Sequence, residues 1–422
     1  MALTESSLFA LGPSPLAAHL LPELLIEIFS YLAGGPDEAT DFNIIRNNRL
    51  WRLAPMQVAA VCKTWRSAAL IHSPLWHYVA IIWFEDGELY SRYAQYLELI
   101  LERSRETPID VIIEFVDDLM LQKYPQILDL VSRHCQRWRA FSVGLRGQQA
   151  AHRVRGLLSG MTPRLCTLHL SHQAHPHYWM YGIIGPASLS AVEPNLERFL
   201  PHAPQLRHLS SAGVLDLVER HHLDLEQLRF GFVEGPIPLP RECGRVILPK
   251  LRRLLLQNEA WQVVSAQPDM LHAPSLGELR ISGWSNVLQM RAFLFNISRS
   301  VTILGIEQVD LSNADVAPLA TLTRLEMVVL SLKTIFPSEL LDALCAAASP
   351  ERPNIPMMWP RLSRLELDNL DLTVQQCDRV VQLNQFRHSC WQAGTQTFEV
   401  VPRKCGFSQA QIAALNGDFE AA

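Results

Sequence analysis

The chain has 422 residues, 48% of them apolar, with 37 basic against 42 acidic side chains and a formal net charge of -5. That length and composition imply two to three packed domains rather than a disordered chain. No basic stripe suited to nucleic acid stands out, and no uninterrupted apolar run reaches membrane-spanning length, so neither partner is expected.

The first basic side chain is Arg46, so neither the basic start of a secretory leader nor an arginine-rich transit peptide is expected after the 1–19 tail. Pro22 suits a first helical position, and Glu23 lies favourably near the positive helix end. Leu21, Leu24, Leu25, Ile28, Phe29 and Leu32 follow at spacings of three and four, which predicts one apolar helix face. Ala33-Gly34-Gly35-Pro36 ends that helix, and residues 33–52 form an insert. A second helix is predicted from about Pro55, with Val58, Val61, Cys62, Trp65 and Ala69 at helical spacing. Ser73-Pro74 reads as an N-cap and first-turn proline opening a short third helix with Leu75 and Trp76. Three helices this short bury little surface among themselves, so their apolar face calls for a cover, either from the rest of the chain or from a partner.

A helix over about 91–105 is predicted from Tyr93, Tyr96, Leu97 and Ile100, and a first strand over 106–115. From Trp138 onward one phrase recurs: apolar, two residues, apolar, one residue, apolar. It starts at Trp138, Leu165, Leu225, Leu251, Leu276 and Leu362, with weaker copies at Val301 and Leu325 and a truncated one at Leu206. Starts at 225, 251, 276, 301 and 325 are spaced by 26, 25, 25 and 24 residues. A fixed period in the twenties is the signature of leucine-rich repeats, whose short strands stack into a mostly parallel, curved sheet. Pro163, Pro204, Pro249, Pro274 and Pro360 each stand two residues before a phrase, where proline breaks the preceding segment without disturbing the ladder. No regular Asn follows the phrase, so the repeats are of an irregular class. A short terminal helix around Ser408–Leu415, or a frayed tail, is expected to close the array.

Three ordered blocks, Leu21-Pro22-Glu23-Leu24-Leu25 through Leu32, Val61-Cys62-Lys63-Thr64-Trp65-Arg66 and Ser73-Pro74-Leu75-Trp76, resemble an F-box over about 60 residues. The insert is longer than in the shortest F-boxes and resembles those of large fungal F-box families. The resemblance implies a Skp-type adaptor as partner and, through it, a cullin scaffold. Carried over by position, the adaptor contacts are Leu21, Pro22, Leu24, Leu25, Ile28 and Phe29, with Val61, Cys62 and Trp65 divided between core and interface. Lys63 and Arg66 are expected at the rim. F-box plus repeats resembles the substrate receptors of Skp–cullin–F-box ubiquitin ligases, which implies recruitment of a protein substrate of unknown identity. The expected fold is therefore mixed: an all-α F-box module at 20–80, an irregular α/β leucine-rich-repeat solenoid at 85–402, and a cap or tail at 403–422. The alternative is a non-catalytic repeat scaffold acting outside ubiquitin transfer.

No enzyme activity, cofactor or metal is expected. The eight cysteines form no C-x-x-C pair, as in a reduced chain that is cytoplasmic, nuclear or both. His169, His172, His175 and His177 form the densest histidine cluster, but Pro176 interrupts it and no acidic residue or cysteine completes a ligand set, so loop histidines are expected. His221-His222 carries less. Phosphate-binding and nucleophile-elbow motifs are missing. Asp117-Asp118 and Asp368–Asp371 read as solvated or capping groups. Tyr178, Trp179 and Tyr181 lie in the long gap 171–205, and Ser349–Pro356 in the gap 331–361, where insertions touch partners or simply pack. Only Lys63, Lys123, Lys250, Lys333 and Lys404 are lysines, against 32 arginines. Codon bias toward arginine or selection against self-modification would each produce that imbalance.

Overall fold

A computed structural model describes residues 20–33, 49–81, 87–146, 148–172, 203–211, 224–231, 246–257, 264–265, 267–283, 287–332, 336–345, 358–391 and 398–416. The tails, most of the 33–52 insert, His175, His177, Tyr178, Trp179, Tyr181, His221, His222, Lys333 and Ser349–Pro356 lie outside them. The chain is mixed α/β with parallel strands, and it divides into two compact units, the described residues through His208 forming one and those from Leu209 the other.

In the first unit, α1 (Pro22–Ala33), α2 (Arg49–Val61), α3 (Lys63–Ile71) and a 3-10 turn (Ser73–Trp76) come first. The helix predicted to begin near Pro55 differs in two ways. It starts earlier, with Pro55 inside it, and it breaks at Cys62, whose backbone is extended. Arg66 stitches that break: its backbone N–H donates to the Cys62 carbonyl at 2.9 Å and its Nε to the Ala59 carbonyl at 2.9 Å.

The sheet starts at β1 (Tyr78–Ile81), inside the span assigned to the helical module. α4 (Gly87–Arg103) leads to β2 (Ile109–Asp117), then α5 (Asp118–Lys123), α6 (Pro125–Ser132), β3 (Trp138–Arg146), α7 (Gln148–Leu158) and β4 (Thr167–His172). β1, β2, β3 and β4 pair in parallel in that order. Val79, Val111, Phe141 and Leu168 fall on one register row, so Trp76-x-x-Val79-x-Ile81 is itself a copy of the repeat phrase. Trp76 thus closes the helical motif and opens the strand array. It is fully buried, donates from Nε1 to the Ala69 carbonyl at 2.7 Å, and has the Arg103 guanidinium 4.6 Å from its ring centroid. Asp117 and Asp118 act as caps, accepting from the backbone N–H groups of Met120 and Ala150 at 2.6 and 3.0 Å. The division between the units falls at β5 (His208–Ser211).

In the second unit the strands are β6 (Gln227–Gly231), β7 (Val246–Ile247), β8 (Arg253–Gln257), β9 (Leu271–His272), β10 (Glu278–Ser282), β11 (Ile303–Val309), β12 (Met327–Leu332), β13 (Arg364–Asp368) and β14 (Glu399–Arg403). β6, β8, β10, β11, β12, β13 and β14 form a parallel ladder, while β7 and β9 pair separately. Leu228, Leu254, Leu279, Leu304, Val328, Leu365 and Val400 share one register row, and all are buried. In the phrases at Leu251, Leu276, Val301, Leu325 and Leu362 all three apolar side chains are buried, the last two of each recurring with the two-residue period of a strand. α8 (Arg291–Ile297), α9 (Val316–Ala320), α10 (Ser338–Cys345) and α11 (Val374–Trp391) carry the later crossovers, and α12 (Gln409–Leu415) follows β14. Ser408 and Gln411 form a capping box on α12.

The ends of several strands share a backbone device. Gly283, Gln308, Asn369 and Lys404 follow β10, the Glu307 register position of β11, β13 and β14, and each has positive φ, between 52° and 78°. Gly283, Asn369 and Lys404 turn the chain off the ladder at the same register position, whereas Gln308 forms a bulge there, after which Val309 pairs with Leu332. β14 ends the ladder with Pro402 in it. The backbone N–H of Glu399 donates to the Ser363 carbonyl and the Arg403 carbonyl accepts from the backbone N–H of Asn369, so odd-numbered residues address β13 and the Pro402 backbone faces away from it.

Candidate protein-interaction site

α1 is apolar on nearly every side, PELLIEIFSYLA, so it has surface for two contacts. Leu25 and Phe29 face inward and are fully buried. Phe29 meets Trp65 edge-on, with ring centroids 5.5 Å apart and planes at 64°. Burial of each inward side chain contributes about 1.5–3 kcal/mol. Ser30 closes its own turn on the Ile26 carbonyl at 2.9 Å and lies 3.4 Å from His72 Nε2, tying α1 to the residue after α3.

The opposite side stays uncovered. Leu21 is 62% exposed, Leu24 51%, Ile28 39%, Leu32 41% and Tyr31 78%. Their spacing of three and four places them on one continuous stripe. Glu23 and Glu27 are also exposed on α1, which carries no basic residue. Met56 on α2 and Ile71 on α3 are further exposed apolar side chains of the same module. A run of large apolar side chains in solvent marks an interaction surface more often than a lone exposed leucine does.

The nine residues named for the adaptor face differ in burial. Leu21, Leu24 and Ile28 lie on the exposed stripe, Pro22 is exposed at the start of α1, and Leu25 and Phe29 are fully buried within the module. Trp65 packs its ring against Phe29 on the inward side of α1. Val61, Cys62 and Trp65 are half-buried. Tyr31 was missed, and the signal for it is its offset of three from Ile28. Lys63 and Arg66 are both exposed, and Arg66 also bonds across the Cys62 break.

The same unit holds a polar cluster at the start of its strands. Arg139 grips Asp110 with two bonds, 2.9 and 2.6 Å, and His77 Nε2 lies 3.5 Å from the same carboxylate. His77 Nδ1 is 2.7 Å from the Pro74 carbonyl, so it carries the proton and donates. Burial pushes the His77 pKa down, against the opposing pull of Asp110 and the Pro74 carbonyl, and Arg139 adds to the lowering. Burial likewise raises the thiols of Cys135, Cys166, Cys345, Cys377 and Cys405, which keeps them protonated at neutral pH.

In the second unit, outward strand positions carry ion-pair ladders. Glu278 takes Arg253 at 3.0 Å and Arg280 at 2.6 Å, and Arg280 reaches Glu307 at 3.2 Å. Glu366 takes Arg364 at 2.7 Å and Arg403 at 3.4 Å, while Arg364 bonds Glu399 at 3.0 Å. Charges so matched create little field for a charged ligand. His169 lies within β4 and is half-buried, not in a loop, and His172 ends that strand. Among the described residues no group of three or more His, Cys, Asp or Glu is placed to hold a metal ion, and no helix is long and apolar enough to cross a membrane. A scan against protein-family models matched none, and a search of curated proteins returned no match.

Proposed function

We propose that the chain is a substrate-recruiting subunit of a Skp–cullin–F-box ubiquitin ligase, in which the helical module binds a Skp-type adaptor and the repeats bind a protein to be ubiquitylated. The observation that carries this reading is the uncovered stripe Leu21, Leu24, Ile28, Tyr31 and Leu32, on a helix whose other face is filled by its own module. It coincides with the sequence blocks that resemble an F-box, and the in-register parallel ladder accords with the repeat phrase. The chain supplies proximity, and bond chemistry belongs to other subunits.

The paired change Leu24→Asp and Ile28→Asp tests this cleanly, because both side chains are already in solvent and charge there leaves the module's core intact. On binding, the new carboxylates would be buried without partners, which costs several kcal/mol. The expected result is loss of co-purification with a Skp-type adaptor at an unchanged thermal midpoint. An unchanged pull-down refutes the reading. Capture of the adaptor without a cullin would favour a scaffold outside ubiquitin transfer.

A further inference from the structure

Two sets stand out among the described arginines. In the first, the guanidinium fork is used. Arg139 makes paired bonds to Asp110, Arg280 bridges Glu278 and Glu307, and Arg364 bridges Glu366 and Glu399. Fully buried Arg387 donates to the carbonyls of Met358, Trp359 and Leu362 at 2.9, 3.1 and 3.3 Å and stacks 5.0 Å from the Phe398 centroid. A lysine, with three donors on a single point charge, cannot span such pairs.

Arg105, Arg252, Arg291, Arg299 and Arg361 form the second group. All are exposed, and among the described residues their guanidinium groups make no hydrogen bond, ion pair or ring contact. A solvated lysine would carry the same charge there on a stem of similar reach. Folding therefore does not explain why these positions hold arginine, in a chain with five lysines among 37 basic residues. The four described lysines, Lys63, Lys123, Lys250 and Lys404, are all solvent-accessible, Lys250 with an ion pair to Asp224 at 2.7 Å.

We infer that arginine usage on this surface limits acylation of the chain's own side chains, confining self-ubiquitylation to the few remaining lysines. The inference rests on the proposed ligase role. In the reaction, an unprotonated lysine amine attacks the carbonyl carbon of the ubiquitin thioester held by a conjugating enzyme. The C–N isopeptide bond forms, the C–S bond breaks, the enzyme thiolate leaves, and the amine proton goes to solvent. A guanidinium stays protonated and its lone pairs are delocalised, so it retains charge and solvation but does not attack.

The test is a complex reconstituted from the full chain, a Skp-type adaptor, a cullin with its ring-type partner, a conjugating enzyme and ubiquitin. The wild type is compared with R105K/R252K/R291K/R299K/R361K, which doubles the lysines without touching the stripe on α1. Self-modification is expected to rise roughly twofold or more, in proportion to the added amines, with isopeptides mapped by mass spectrometry to the new positions. Equal rates in an assembled complex that charges and discharges ubiquitin overturn this inference alone. Failure of the wild type to assemble overturns the ligase reading, and this inference with it.

Discussion

His77 shows how one side chain ties local chemistry to global stability. Its ring is enclosed between the Pro74 carbonyl and the Arg139-bound Asp110 carboxylate, and burial lowers its pKa from 6.5. The folded chain therefore binds fewer protons than the unfolded chain as pH drops below the unfolded value. Stability present above about pH 6.5 is lost as pH falls through the folded pKa. His72 and His134 of the same unit are shifted the same way, chiefly by burial. Urea midpoints at pH 7.5 and 5.5 should fall with acid in the wild type and fall less in His77→Gln, and an identical acid response would remove His77 as a contributor. Arg387 illustrates what sequence conceals at this scale. It sits in a helix of weak periodicity, and nothing in VVQLNQFRHSC marks it as a buried clamp on three carbonyls of the distant segment 358–362.

The strand elements were legible because the phrase has a strand's own period, and each described copy became part of the ladder. Two strands escaped for physical reasons. β1 was hidden because Trp76 had already been assigned to the helical motif. β14 was hidden because its register places Pro402 opposite Leu367, a position held by Leu, Ile or Phe in the other copies of the second unit. The break at Cys62 was invisible because Val58, Val61, Trp65 and Ala69 keep helical phase straight through it. On α1, periodicity marked a helix but not which side faced solvent, since both sides are apolar. The recurrent left-handed turn likewise has no fixed residue type, being Gly, Gln, Asn and Lys in turn. Glycine relieves about 1–2 kcal/mol of left-handed strain at a non-glycine position and adds about 0.5–1 kcal/mol of chain entropy cost. Gln308→Gly should therefore stabilise the chain by about 0.5–1 kcal/mol in chemical denaturation. A clear loss of stability would show that Gln308 makes contacts worth more than its strain.

For the molecule as a whole, neighbour-to-neighbour stacking makes stability local. Trp76 belongs at once to the helical module and to the first strand, so Trp76→Ala removes a shared support at a cost of about 3–5 kcal/mol. Hydrogen exchange should accelerate in both Lys63–Ile71 and Tyr78–Ile81, while the ladder from Arg253 to Asp368 keeps its protection. Acceleration confined to the helices would show that the module is not anchored through this residue. In the second unit, Pro402 of β14 has a consequence for molecules in a crowd. A strand edge with free N–H groups invites a strand of another copy, and heterologous contacts of that kind can extend without closing. With no N–H on its outward side at Pro402, the edge denies a newcomer one rung of the ladder, and linear polymer growth is discouraged at its first step.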